Sequence, residues 1–161
     1  MPNLYTLIIH FSIFVGRQPL QLSTTQYQNN CHESFSVGQC KFCVLAIWVT
    51  GTKGETQTLL ESSHLVDAAD PASLNLQFST HIPSIASIRF NIGVDSQANA
   101  GGVHTGDLDP MLGMFWTWNT GYIDARLKGQ SDSAHAPAPL FLGRPPHIRR
   151  WSTAPFPRSA P

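Results

Sequence analysis

Leu74, Leu76 and Phe78 alternate with Asn75 and Gln77, the period-2 signature of a strand with one buried face. The same alternation sets Ile88, Phe90, Ile92 and Val94 against Ser87, Arg89 and Asn91. It recurs where Ile123, Ala125 and Leu127 are set against Asp124, Arg126 and Lys128. Phe42 to Val49 is apolar at alternate and intervening positions alike, which predicts a central strand covered on both faces. Near the N-terminus TLIIHFSIFV predicts a first strand, its apolar run interrupted by His10 and Ser12. Turn-forming stretches separate these runs: Gly51 to Gly54, Asp70-Pro71, Ile82-Pro83-Ser84 and a long segment from Asp95 to Gly113. No apolar stripe of 3.6-residue period and useful length competes. The expected fold is all-β, a two-sheet antiparallel β-sandwich with a long functional loop.

The 161 residues suit one domain with a single core. Lys+Arg and Asp+Glu number 10 each and only 12% of residues are charged, which argues against a nucleic-acid binder built on a basic face. The 12 Gly and 12 Pro reinforce many short strands over long helices. No apolar run reaches the ~18 residues of a membrane-spanning helix. The N-terminal apolar run has the length of an export signal's centre, but no Lys or Arg precedes it and no A-x-A-like site follows, so the chain is expected to start downstream of any native signal.

Cys31, Cys40 and Cys43 are an odd number, and the C-x-x-C pair falls in a predicted strand, where positions three apart face opposite ways. Core thiols are expected, with a Cys31–Cys40 bridge left open. Residues 137–161 contain seven of the 12 Pro, and four Arg but no acid follow Asp132. Proline lacks the ladder donor, so Ala136 to Pro161 is expected to be largely irregular, with a sandwich domain over 1–143 and a Pro/Arg-rich tail over 144–161.

Candidate chemistry concentrates in one place. A strand enters and a strand leaves the segment from Asn91 to Gly129, and between them a loop of about twenty residues carries Asp95, His104, Asp107, Asp109, Met111, Met114, Trp116 and Trp118. Long loops inside a compact domain are usually functional. In one reading His104 and one or two other histidines bind a soft or borderline metal, with a methionine thioether and the indoles nearby, a set that favours copper over magnesium or calcium. In another, Trp116 and Trp118, two apart and on one face of an extended segment, form a platform for sugar rings. In a third, the tryptophans cap the core and the aspartates fix turns. His64 precedes a turn and by itself reads as a surface or strand-end residue. There is no G-x-S-x-G elbow and no phosphate-binding glycine loop, so a hydrolase or nucleotide enzyme is not expected.

The run GVDSQANAGGVHTGDLDPMLGMFWTWNTGYIDARLKG resembles the signature of the MbnP-like domain family, named for a methanobactin-linked protein, and HLVDAADPASL resembles the segment before it. FVGRQPLQL and KFCVLAIWV match more loosely, so the resemblance covers about residues 8–143. It implies a non-catalytic β-sandwich of the bacterial periplasm, the outer-membrane surface or the extracellular space, linked to copper. In some relatives a di-haem MauG-like oxidase converts a tryptophan to kynurenine beside the copper; a copper-delivery protein is the other implied partner. Carried over by position, the resemblance makes His64 and His104 the candidate ligands and Trp116 or Trp118 the aromatic neighbour or modified residue. Met114 flanks them, and Asp95, Asp107, Asp109, Asn119 and Tyr122 shape the loop. Phe141 stands where the family usually has a histidine, and Arg144 where it has a glycine.

Overall fold

The structure is a computed structural model; it describes residues 3–116, 121–132, 138–142 and 149–152, the last two segments by their backbone. In chain order the strands are β1 (Tyr5–His10), β2 (Phe14–Val15), β3 (Gln18–Pro19), β4 (Tyr27–Gln28), β5 (Ser34–Gly51), β6 (Thr56–Asp67), β7 (Asn75–Thr80) and β8 (Ile85–Ile92). They continue with β9 (Phe115–Trp116), β10 (Gly121–Tyr122), β11 (Ala125–Ser131), β12 (Ala138–Leu142) and β13 (Arg149–Ser152). One short helix, α1 (Ser96–Ala100), and two 3-10 turns, Gly106–Leu108 and Pro110–Leu112, lie between β8 and β9. Every pairing is antiparallel. The all-β expectation holds.

β5 organises the molecule. Its first half pairs with β11, from Ser131↔Phe35 to Ala125↔Phe42, and its second half with β8, from Val44↔Ile92 to Gly51↔Ile85. The change of partner falls at Cys43, whose N–H donates to the Asp124 carbonyl at 3.0 Å and whose carbonyl accepts from the Gly93 N–H at 3.0 Å. Gly93 has φ +128°, and a Cβ there would meet the Asp124 carboxylate at 2.8 Å, so the junction requires glycine. β6 pairs along β5 from Lys41↔Asp67 to Thr50↔Thr56. β12 and β13 extend the sheet beyond β11 and β8.

Both faces of β5 are covered, as its continuous apolar run predicts. On one face Val44, Ile47, Val49, Val66 and Ile88 are buried against Leu7, Ile9, Phe11, Leu74, Leu76 and Phe78, which come from the β1–β7 ribbon and the ends flanking it. Phe11 meets Phe42 and Phe90 edge-on at 6.0 and 5.9 Å. On the other face Cys43 and Leu65 pack with Val94, Met114, Tyr122 and Ile123, supplied by the β8–β11 connection. Side chains two apart share a strand face, yet Val44 and Ile47 lie in one cluster. Ala46, at φ +52°, resets the alternation where the β5–β6 register shifts between Leu45 and Ile47.

Several expectations change. The N-terminal run is not one strand: β1 ends at His10 and β2 starts at Phe14, because Phe11 turns into the core and its N–H bonds the Leu74 carbonyl. Thr56–Asp67 is a twelve-residue strand that its weak alternation hid, and it places His64 inside β6 rather than before a turn. The three cysteines are free, with Cys31 exposed and Cys43 buried, so there is no Cys31–Cys40 bridge. Ala136 to Pro161 is not wholly irregular, since β12 and β13 lie in it. Proline is tolerated in β12 because it is an outer strand, with Pro139 opposite Lys128.

Candidate metal site

The Asp95–Gly113 connection is long, yet it is tied down from end to end. At its start the Asp95 side chain caps α1 by accepting from the Ala98 N–H at 2.7 Å. At its end Asp109 caps the second 3-10 turn through the Met111 N–H at 2.8 Å. Gly113 adopts φ +77°, and its carbonyl accepts from Arg126 Nη1. Lys41, itself paired to Asp67 at 2.9 Å, donates to the Leu112 carbonyl at 3.2 Å.

Tyr122 holds the middle. Its ring is buried at 3% exposure, packs edge-on to Phe115 at 4.9 Å, and its N–H donates to the Asn99 side-chain oxygen at 2.7 Å. Its hydroxyl accepts from the His104 N–H and donates to the Leu108 carbonyl, both at 2.9 Å.

The two histidines are oriented alike. His104 Nε2 lies 2.7 Å from the Ala98 carbonyl, and His64 Nε2 lies 2.8 Å from the Ser73 carbonyl. A carbonyl only accepts, so each Nε2 carries the proton that meets it. His64 Nδ1 faces Asp107 Oδ2 at 2.9 Å. The same oxygen accepts from the Leu65 N–H at 3.3 Å, joining the loop to β6. Asp107 is therefore a cross-link between elements rather than the turn residue expected from Asp107-Leu-Asp109, whereas Asp95 and Asp109 do fix turns.

Met114 is buried at 1% exposure in the core cluster, and Met111 is 90% exposed. Trp116 is half-buried and packs against that same core, opposite Gly121 in the β9–β10 pair, which does not favour a free aromatic platform. Trp118, Asn119 and Arg144 lie outside the described residues, and Phe141 is placed by backbone alone, opposite Arg126. Burial pushes the Cys43 thiol up to about 12, reinforced by the carboxylates of Asp124 and Asp107. As a neutral thiol it is a poor metal ligand. Among the described residues no three His, Cys, Asp or Glu side chains converge as a ready-made metal cluster.

Each histidine has one ring nitrogen anchored on a backbone carbonyl, and the Nδ1 of His64 is engaged by Asp107. A ligating histidine characteristically donates its other N–H to a carbonyl or carboxylate, which is the state of both His64 and His104. Sequence reasoning picked both histidines and missed their anchors, since a backbone carbonyl at Ser73 or Ala98 leaves no mark in residue type.

Fold and loop together define a class: antiparallel all-β proteins in which a long connection is pinned over the core beside the central strands. Within that class the MbnP family model matches residues 5–153, and the chain belongs to the MbnP family. Among solved structures it is similar to MbnP from Methylosinus trichosporium, with a TM-score of 0.67 at 10% identity, covering 95% of this chain and 72% of that one. That likeness is one of fold. No curated protein matches the chain. Among the described residues no helix is long and apolar enough to cross a membrane.

Proposed function

We propose that this chain is a non-catalytic copper-binding protein of the bacterial cell envelope, with His64 and His104 as its imidazole ligands. The observation that carries the reading is the shared orientation of the two rings, each with Nε2–H on a backbone carbonyl and Nδ1 turned away from it. Membership of the MbnP family supports copper as the metal. Bound copper would supply soft-ligand coordination chemistry. The chain's part is to hold the His104 ring on a loop whose backbone is fixed by Tyr122 and by the Asp95 and Asp109 caps, and the His64 ring on β6. Trp116 or Trp118 is the aromatic neighbour and the residue a di-haem MauG-like oxidase would convert to kynurenine; a copper-delivery protein is the alternative partner.

Metal analysis after reconstitution with Cu(I) tests this. The wild type should retain about one copper per chain, and His64→Ala and His104→Ala should each lose most of it. Unchanged stoichiometry in both variants sinks the assignment. Intact mass of protein from its native host reads the tryptophan directly: unmodified indole removes the oxidase from the proposal.

A further inference from the structure

Away from the histidine-bearing loop, the start of the chain builds a cleft of its own. The β2–β3 hairpin turns over Gly16 and Arg17, and its pairing continues where the Leu20 N–H donates to the Ile13 carbonyl at 2.8 Å. The chain then returns as β4 beside β5. Tyr27 of β4 locks the two pieces together. Its ring is buried at 4% exposure against Phe35, 5.7 Å away, and its hydroxyl accepts from the Gln21 N–H at 2.8 Å and donates to the Pro19 carbonyl at 3.3 Å. Between the hairpin and β4 lies a cavity of about 520 Å³, within the ~300–1,000 Å³ typical of small-molecule sites. Arg17, Gln18, Gln26, Gln28 and Ser34 line it, and no Asp or Glu does.

From this lining we infer that the cleft binds an acidic sugar, with Arg17 pairing its carboxylate and the glutamine amides its hydroxyls. Among the described residues the side chains of Arg17, Gln18, Gln26 and Gln28 make no hydrogen bond or ion pair within the protein. A glutamine amide donates through nitrogen and accepts through oxygen, and a sugar hydroxyl likewise does both, so three amides around one cavity suit a ligand rich in hydroxyls. An apolar ligand would instead leave them unpaired. The Arg17 guanidinium matches a carboxylate through two parallel N–H···O bonds, and no acid of the lining competes for it. One cation suits a single carboxylate better than a polyphosphate. Because Tyr27 fixes the backbone of the walls, ligand binding has only side chains to order. The cleft shares no residue with the histidine sites, so the inference stands apart from the copper reading.

The test titrates the full chain at low salt with cellobiouronate, a glucuronyl-glucose disaccharide with one carboxylate, and with cellobiose, which has a hydroxymethyl group in its place. Calorimetry and amide chemical shifts read the binding. Wild type is compared with Arg17→Ala and Gln28→Ala, both at exposed positions, with circular dichroism to check folding. Cellobiouronate should bind saturably and at least about tenfold more tightly than cellobiose, shifting the amides of Arg17, Gln18 and Gln28. Arg17→Ala should erase that preference, and Gln28→Ala should weaken both sugars by about threefold or more. Acetate and triglycine serve as carboxylates without hydroxyls. Either one binding as tightly as cellobiouronate means a bare anion or peptide contact and overturns the inference. So does the absence of saturable sugar binding, or binding that neither variant changes. Should Arg17→Ala fail to fold, Arg17→Lys replaces it: with the charge kept and the fork lost, cellobiouronate should weaken and cellobiose should not, and equal weakening of both counts against the carboxylate pairing.

Discussion

Tyr122 shows how much one side chain settles in this loop. Its hydroxyl is hydrogen-bonded to the backbone of His104 on one side and of Leu108 on the other, while its ring fills the core below. Removing only the oxygen leaves two backbone groups unpaired in a half-buried setting, at a cost of about 1–3 kcal/mol. Tyr122→Phe should therefore lower the unfolding midpoint and speed amide exchange at His104, both measurable by denaturant titration and hydrogen exchange. Wild-type exchange in the variant would show that the caps at Asp95 and Asp109 suffice. The tyrosine stands out in the sequence, in Asn-Thr-Gly-Tyr, but its partners do not. Asp107 is the stronger case: residue type suggested a turn, and only the approach of β6 turned its carboxylate into a partner for His64.

At the scale of elements, the decisive irregularity is in β5. A strand of uniform pleat would put Ile47 and Val49 on the face opposite Val44, and the β1–β7 ribbon would then lose its footing. Ala46 prevents this by adopting φ +52°, which costs an L-residue ~1–2 kcal/mol. Ala46→Gly should relieve the strain and, after its entropic cost, raise stability by about 1 kcal/mol; Ala46→Val should lower it, since a branched Cβ is poorly tolerated at that φ. Thermal unfolding of the two variants checks both signs, and equal destabilisation by both would disprove the strained-bulge account. The apolar run of β5 was legible because burial on both faces needs it. The bulge was not, because nothing in Leu-Ala-Ile marks which residue will leave the alternation.

For the whole molecule, β11 and β8 share one edge of the long central strand end to end, and the strands beyond them, β12 and β13, come from late in the chain. β13 pairs with β8 from Arg149↔Ile92 to Ser152↔Arg89, and the family match also runs to residue 153. Removing residues 149–161 should uncover the outer edge of β8. The shortened chain is expected to melt lower and to self-associate, as unprotected edges do, by calorimetry and size-exclusion chromatography. A truncated protein with unchanged melting and a monomeric profile would make β13 dispensable.

By itself the sequence determined the fold class, because period-2 burial, scarce charge and abundant turn residues leave no room for long helices. It also singled out, by composition alone, a long loop carrying His104, several aspartates and two tryptophans as the candidate for chemistry. Tertiary structure decided the rest: which strand carries His64, that Asp107 meets it, and that proline-bearing Ala138–Leu142 still closes a sheet edge. Each of these depends on a backbone hydrogen bond or on register between residues far apart in the chain, and backbone groups are the same at every position of a sequence until folding brings particular ones together.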